Sequence, residues 1–159
     1  MKILIFKIGE QRFALAITSV VETVRAVAVT TLPEDAPAVE GVINYRGHLA
    51  TVLDLRVLFG MPKVPVSTHH HFVVARTGER LVALHADRAE QVLDLGNAPL
   101  EKADGELRRM PLLSGVAKLP DGLVLIPDLA KILSTIEGSR FGEAPAPAPS
   151  AALVPAPAL

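Results

Sequence analysis

The sequence predicts a mainly β protein of two tandem small barrels, about five strands each, with short helices and a C-terminal helix. Three observations carry this. The chain repeats itself, since the run from Gly41-Val42-Ile43-Asn44 to Asp54-Leu55 is echoed from Gly115-Val116-Ala117-Lys118 to Asp128-Leu129. A weaker echo pairs Gly9-Glu10-Gln11-Arg12-Phe13 with Gly78-Glu79-Arg80-Leu81-Val82. Short β-rich runs recur in both halves, each bounded by glycine, proline or polar residues. Finally, half of the 159 residues are apolar, enough for the core of one domain.

The first half supplies strands over Lys2 to Ile8, Arg12 to Ile17, Val20 to Val29, Val39 to Tyr45 and His48 to Asp54. The opening run is a strand and not a leader, because Lys7 interrupts its apolar residues too early for a signal-peptide core. The second half repeats the scheme over His71 to Arg76, Arg80 to Ala86, Glu90 to Leu95, Leu113 to Leu119 and Leu123 to Ile126. Turns fall at Gly9, Arg46-Gly47, Thr77-Gly78 and Asp121-Gly122. Asp54 and Asp128 each precede a Leu-x-x-Leu or Leu-x-x-Ile spacing, where a carboxylate accepts from the free amides of a first helical turn.

A sheet of short strands protects its edges by rolling up, so each half is expected to form its own barrel. One domain over residues 1–138 then holds a first barrel at about 1–60, a second at about 69–127 and a helix at about 128–137. From 139 to 159 the composition turns to alanine and proline, which favours an extended, solvated, disordered tail.

A net charge of −1 and an aromatic content of 4% leave neither the basic footprint nor the stacking residues of a nucleic-acid binder. Without cysteine there are no disulfides and no thiolate chemistry. No stretch supplies the roughly 20 uninterrupted apolar residues of a spanning helix, so a soluble protein without direct membrane insertion is expected, and the lack of cysteine is compatible with a cytoplasmic setting.

Candidate chemistry is sparse. Two related halves each offering an aspartate resemble a paired-carboxylate site, but helix capping accounts for Asp54 and Asp128 and no hydroxyl-glycine turn accompanies them. In an extended chain His69 and His71 project from one face, and His48 or His85 would have to complete a zinc site with them. A small metal-dependent or carboxylate-based hydrolase is therefore the alternative; no phosphate loop or Ser-His-Asp set supports it. The expectation is a binding protein with no enzyme activity, cofactor or metal. Arg46 stands out because the second copy replaces Asn44-Tyr45-Arg46-Gly47 by Lys118-Leu119-Pro120-Asp121, leaving its guanidinium free for a carboxylate. If their strands are neighbours, Glu22 would pair with it, either as an ordinary surface ion pair or as part of a site.

These residues resemble the CheW-type chemotaxis coupling proteins. The likeness runs from Ile3 to about Ile136 through Val20-Val21-Glu22-Thr23-Val24, Leu32-Pro33, Val39 to Gly47, Leu53-Asp54-Leu55-Arg56, Ala86-Asp87-Arg88, Val92-Leu93 and Ser114-Gly115-Val116. It implies two SH3-like barrels and an adaptor between the cytoplasmic tip of methyl-accepting receptors and a CheA-type histidine kinase, with contacts between like barrels building rings. It further implies that Glu22 and Arg46 lie in the receptor-coupling region, and that Val20, Val21, Gly41, Val42 and Val92 line or support a receptor groove. Tyr45 departs from the leucine usual before the arginine, and His48-Leu49-Ala50-Thr51 from a more aliphatic strand. These departures point to a paralogous coupling protein in a chemosensory pathway other than the main flagellar one.

Overall fold

The computed structural model describes residues 1–32, 36–96, 100–102 and 112–139. Pro33 and the expected tail from residue 140 onward lie outside them. The elements in chain order are β1 (Lys2–Ile8), β2 (Gln11–Ala16), β3 (Val20–Arg25), β4 (Val39–Tyr45), β5 (His48–Leu53) and α1 (Leu55–Leu58). They continue with β6 (His71–Thr77), β7 (Arg80–Ala86), β8 (Arg88–Asp94), β9 (Leu100–Lys102), β10 (Leu113–Leu119), β11 (Gly122–Pro127) and α2 (Leu129–Ser139).

The strands form a five-stranded sheet in the order β3-β6-β7-β5-β4 and a six-stranded sheet in the order β8-β1-β2-β11-β10-β9. Setting β9 aside, the two orders are the same under the repeat. In each sheet a hairpin from one half (β6–β7 or β1–β2) is flanked by the third strand and second hairpin of the other half. The joints between halves are the parallel pairs β5 with β7 and β2 with β11 and the antiparallel pairs β3 with β6 and β1 with β8.

The expected split into barrels at about 1–60 and 69–127 is therefore corrected: each sheet draws on both halves. Burial explains the exchange. The hairpins β1–β2 and β6–β7 are apolar on both faces, and such strands are stable only between two layers. Alternate residues serve the two layers. Ile3, Ile5, Ala14, Val124 and Ile126 fill the interior of the six-stranded unit, and Ala50, Val52, Phe72 and Ala83 that of the five-stranded unit. Leu4, Phe6, Phe13, Val73 and Leu84 face the other way, into a third core shared with Leu53, Leu55, Ile132 and Ile136. Each of these buried phenylalanines contributes about 2–3 kcal/mol by area.

Three local features differ from the sequence expectation. The run expected to Val29 leaves the ladder after Arg25, and Val27 and Val29 pack against the five-stranded unit's core instead; their β-branched composition reflects burial without pairing. The short β9 was not foreseen. The second-half hairpin turns on Pro120-Asp121, with Leu119 opposite Gly122, one residue earlier than Asp121-Gly122. Proline at the first turn position and glycine just after suit a turn that needs no left-handed side chain.

Candidate functional site

The strands β3 and β4 are opposite edges of the five-stranded sheet, so Glu22 and Arg46 are not ladder neighbours. The curl of the sheet brings them together nonetheless. Arg46 Nη2 lies 2.8 Å from Glu22 Oε1. The Tyr45 hydroxyl donates to the same carboxylate oxygen, and the Arg46 guanidinium carbon sits 5.2 Å from the Tyr45 ring centroid. Three side chains thus clasp the seam of the barrel. The bond to Glu22 first, and burial second, raise the Tyr45 pKa above the ordinary phenol range, with Arg46 opposing. Tyr45 is accordingly a neutral donor at physiological pH.

Arg46 occupies the two-residue turn between Tyr45 and His48 with φ +52°, followed by Gly47 at +86°. Both central residues are left-handed, as a tight hairpin turn of this twist requires, and Gly47 N donates to Asn44 Oδ1 at 2.7 Å. An arginine in this conformation costs about 1–2 kcal/mol relative to glycine. The exposed ion pair returns about 0–1 kcal/mol. Folding stability alone does not call for an arginine here, and its side chain is 71% exposed.

The remaining expected site residues surround this clasp unequally. Val20 packs against the core shared by the sheets. The register jumps from Val20 opposite Ala75 to Glu22 opposite Val74, so Val21 is the extra residue of a β-bulge and stands half exposed. Earlier on β4, Val42 exchanges two backbone hydrogen bonds with Thr30, at 2.9 and 3.0 Å. Gly41 makes that approach possible: at φ +147° a β-carbon there would lie 2.1 Å from the Thr30 carbonyl oxygen. Val92 is half exposed on β8, an edge of the other sheet. Glu22 and Arg46 are thus brought together, with Tyr45 as a partner the sequence did not reveal, whereas Val92 belongs to a different sheet.

The catalytic candidates do not converge. Asp54 Oδ1 accepts from Arg56 N and Asp128 Oδ1 from Lys131 N, both at 3.0 Å, so each aspartate caps its own helix. The copies match further, with Asp54 N donating to Ala38 O and Asp128 N to Leu112 O. Burial, and then the charge of Glu40, raise the Asp54 pKa, with the Arg56 amide opposing.

Among the histidines, His69 is exposed and His70 turns inward. His70 Nδ1 accepts from Ser67 N at 3.2 Å and lies 2.7 Å from His85 Nε2, while His85 Nδ1 lies 3.1 Å from the Glu40 carboxylate. Asp87 extends this network: it receives Arg56 Nη2 and the Gly9 amide, the latter at 2.8 Å, and lies 3.9 Å from His70 Nε2. Burial, with His85 second, lowers the His70 pKa. This network ties α1 and the β1–β2 turn to the five-stranded sheet. Among the described residues no group of three histidine or carboxylate side chains is placed to hold a metal ion, and the hydrolase alternative is not supported.

Comparison with known proteins bears on the family and the fold. The model of the CheW-like domain family matches residues 2–137. The chain is 26% identical over 129 residues to the chemotaxis protein CheW of Helicobacter pylori, covering 80% of this chain and 78% of that one. It is 27% identical over 136 residues to the chemotaxis protein CheW of Klebsiella aerogenes, covering 84% and 82%. The crystal structure of the scaffolding protein TtCheW from Thermoanaerobacter tengcongensis superposes with a TM-score of 0.72 at 28% identity, covering 80% of this chain and 84% of that one. With the match spanning both sheets and α2 up to Glu137, the chain belongs to the CheW-like domain family.

Proposed function

We propose that this protein is a non-enzymatic chemotaxis adaptor that couples methyl-accepting receptors to a CheA-type histidine kinase in the cytoplasm. The observation that carries this reading is the family match along nearly the whole chain, residues 2–137. Three further facts support it: the aspartates serve as helix caps, the inward histidine is spent on a structural network, and Arg46 is exposed at an energetic cost to the fold. Among the described residues no helix is long and apolar enough to cross a membrane.

The receptor surface centres on Glu22 and Arg46, with Val20, Val21, Gly41 and Val42 beside them on β3 and β4 and Val92 contributing from β8. Contacts between this chain's barrels and like barrels of the kinase's regulatory domain would extend the assembly into rings. Tyr45 and the His48-Leu49-Ala50-Thr51 strand, which depart from the usual family residues, support reading it as a coupling protein of a paralogous chemosensory pathway.

Co-sedimentation tests the reading. Purified protein should pellet with cognate receptor tips and kinase under array-forming conditions; its staying in the supernatant while the array forms would refute the adaptor role. Arg46→Ala should lower receptor-dependent kinase activation and leave melting within a few degrees of wild type.

A further inference from the structure

Glu22 Oε1 accepts two donors at once, the Tyr45 hydroxyl and Arg46 Nη2. These donors differ in freedom. Tyr45 packs against the core of the five-stranded unit, with Ile43, Val52 and Phe72 in the same cluster, so its hydroxyl is anchored. The Arg46 side chain is 71% exposed and its guanidinium offers five N–H donors, of which the contact with Glu22 uses few. An incoming carboxylate has unobstructed access to the rest.

We infer that Tyr45 is a positioning residue that holds Glu22 satisfied while Arg46 turns from it to a carboxylate side chain on the receptor tip. This rests on the adaptor reading and adds the chemistry of its contact. In the free protein the carboxylate is shared. In the complex Arg46 would pair bidentately with the partner's acid, and Glu22, only 35% exposed, would keep the Tyr45 hydroxyl as donor and not be left unpaired at the seam. The phenol proton stays on Tyr45 throughout. The aromatic face also carries the departing guanidinium along a short path, since the two are already stacked at 5.2 Å. The second copy lacks the device: Leu119 and Pro120 stand where the first has Tyr45 and Arg46.

Two measurements test this, and they fail separately. Tyr45 is the single tyrosine of a chain without tryptophan, so ultraviolet absorbance of tyrosinate reports on it alone. The wild-type phenol should titrate above free tyrosine, and Glu22→Gln should bring it down; titration like free tyrosine would overturn the inference whatever the partner does. Calorimetric titration of the receptor tip into full-length variants then reads the exchange. Arg46→Ala should weaken binding about tenfold or more, as loss of a bidentate charged contact does. Tyr45→Phe, which keeps the ring, should weaken it about three- to tenfold, the range of one hydrogen bond to a half-exposed carboxylate. In the Arg46→Ala background Tyr45→Phe should have no further effect. Wild-type affinity in Tyr45→Phe, or an equal loss in both backgrounds, would overturn the role of Tyr45 and leave the adaptor reading standing. If Arg46→Ala also binds like wild type, the assignment of Arg46 to the contact falls as well.

Discussion

Charged side chains brace the two sheets in opposite ways. In the five-stranded unit the cation sits outside: Arg46 on the turn reaches back to Glu22 on β3. In the six-stranded unit the cation sits inside. Arg12 on β2, only 20% exposed, lies 3.5 Å from Glu90 on β8 and 3.1 Å from Asp121 on the β10–β11 turn. The outer edges differ as well. Thr30 alone bridges to β4, while the strand β9 runs along β10. A duplicated framework thus carries one cation held inside a sheet, across its strands, and another exposed at an outer seam, on a left-handed turn.

The comparison is broken most severely at Gly41. Gly41→Ala should drive a β-carbon into the Thr30 carbonyl and cost about 3 kcal/mol, read as a lower urea midpoint with an unchanged slope. Next comes the in-sheet cluster: Arg12→Ala should cost about 1 kcal/mol, because Asp121 is exposed and Glu90 keeps Arg88 at 3.4 Å. A wild-type midpoint would show that this cluster contributes nothing.

Acid should separate the sheets. Because the His70 pKa is lowered in the folded protein, the unfolded chain takes up this proton first. Its contribution is complete above the ordinary histidine range and declines as pH falls through and below it. His70 also accepts from Ala26 N just beyond β3, so hydrogen exchange at β3 amides should accelerate there. On the other sheet Asp94 is lowered, chiefly by the Gly96 amide, and its contribution is lost only in the carboxylate range. Protection of β8 should outlast that of β3; simultaneous loss would refute this order. The smallest effect on stability falls at the outer seam. Arg46→Gly relieves the left-handed turn and removes an exposed ion pair, so its unfolding free energy should stay within about 1 kcal/mol of wild type while co-sedimentation drops.

Much of this was legible in the chain. Residue periodicity and turn glycines located ten of the eleven strands among the described residues, and the Asp-Leu repeats located both helix starts with their caps. The exchange of hairpins was not legible, because two similar halves offer nearly the same pairing surface and a repeat does not say which copy is used. The continuous apolar runs Ile3 to Phe6 and Phe72 to Ala75 were the available signal, since they mark strands buried on both faces. Glu22 and Arg46 were paired correctly from charge, though the geometry that joins them is closure of the sheet and not strand adjacency. The inward histidine was misjudged. In an extended chain His69 and His71 share a face, but it is His70, between them, that reaches His85 and Glu40, partners far off in sequence.

The exchanged hairpins also set the order in which the molecule can come into being. When the chain up to Gly60 has left the ribosome, β3, β4 and β5 still lack the central pair of their sheet, and β1–β2 still lacks both of its neighbours, β8 and β11. Neither barrel can close until β6 and β7 emerge, and the six-stranded one must wait for β11. Such long-range pairing makes folding slow and delays it until strands of both halves are available. Cutting the gene between the repeats would therefore yield two fragments that fold only together.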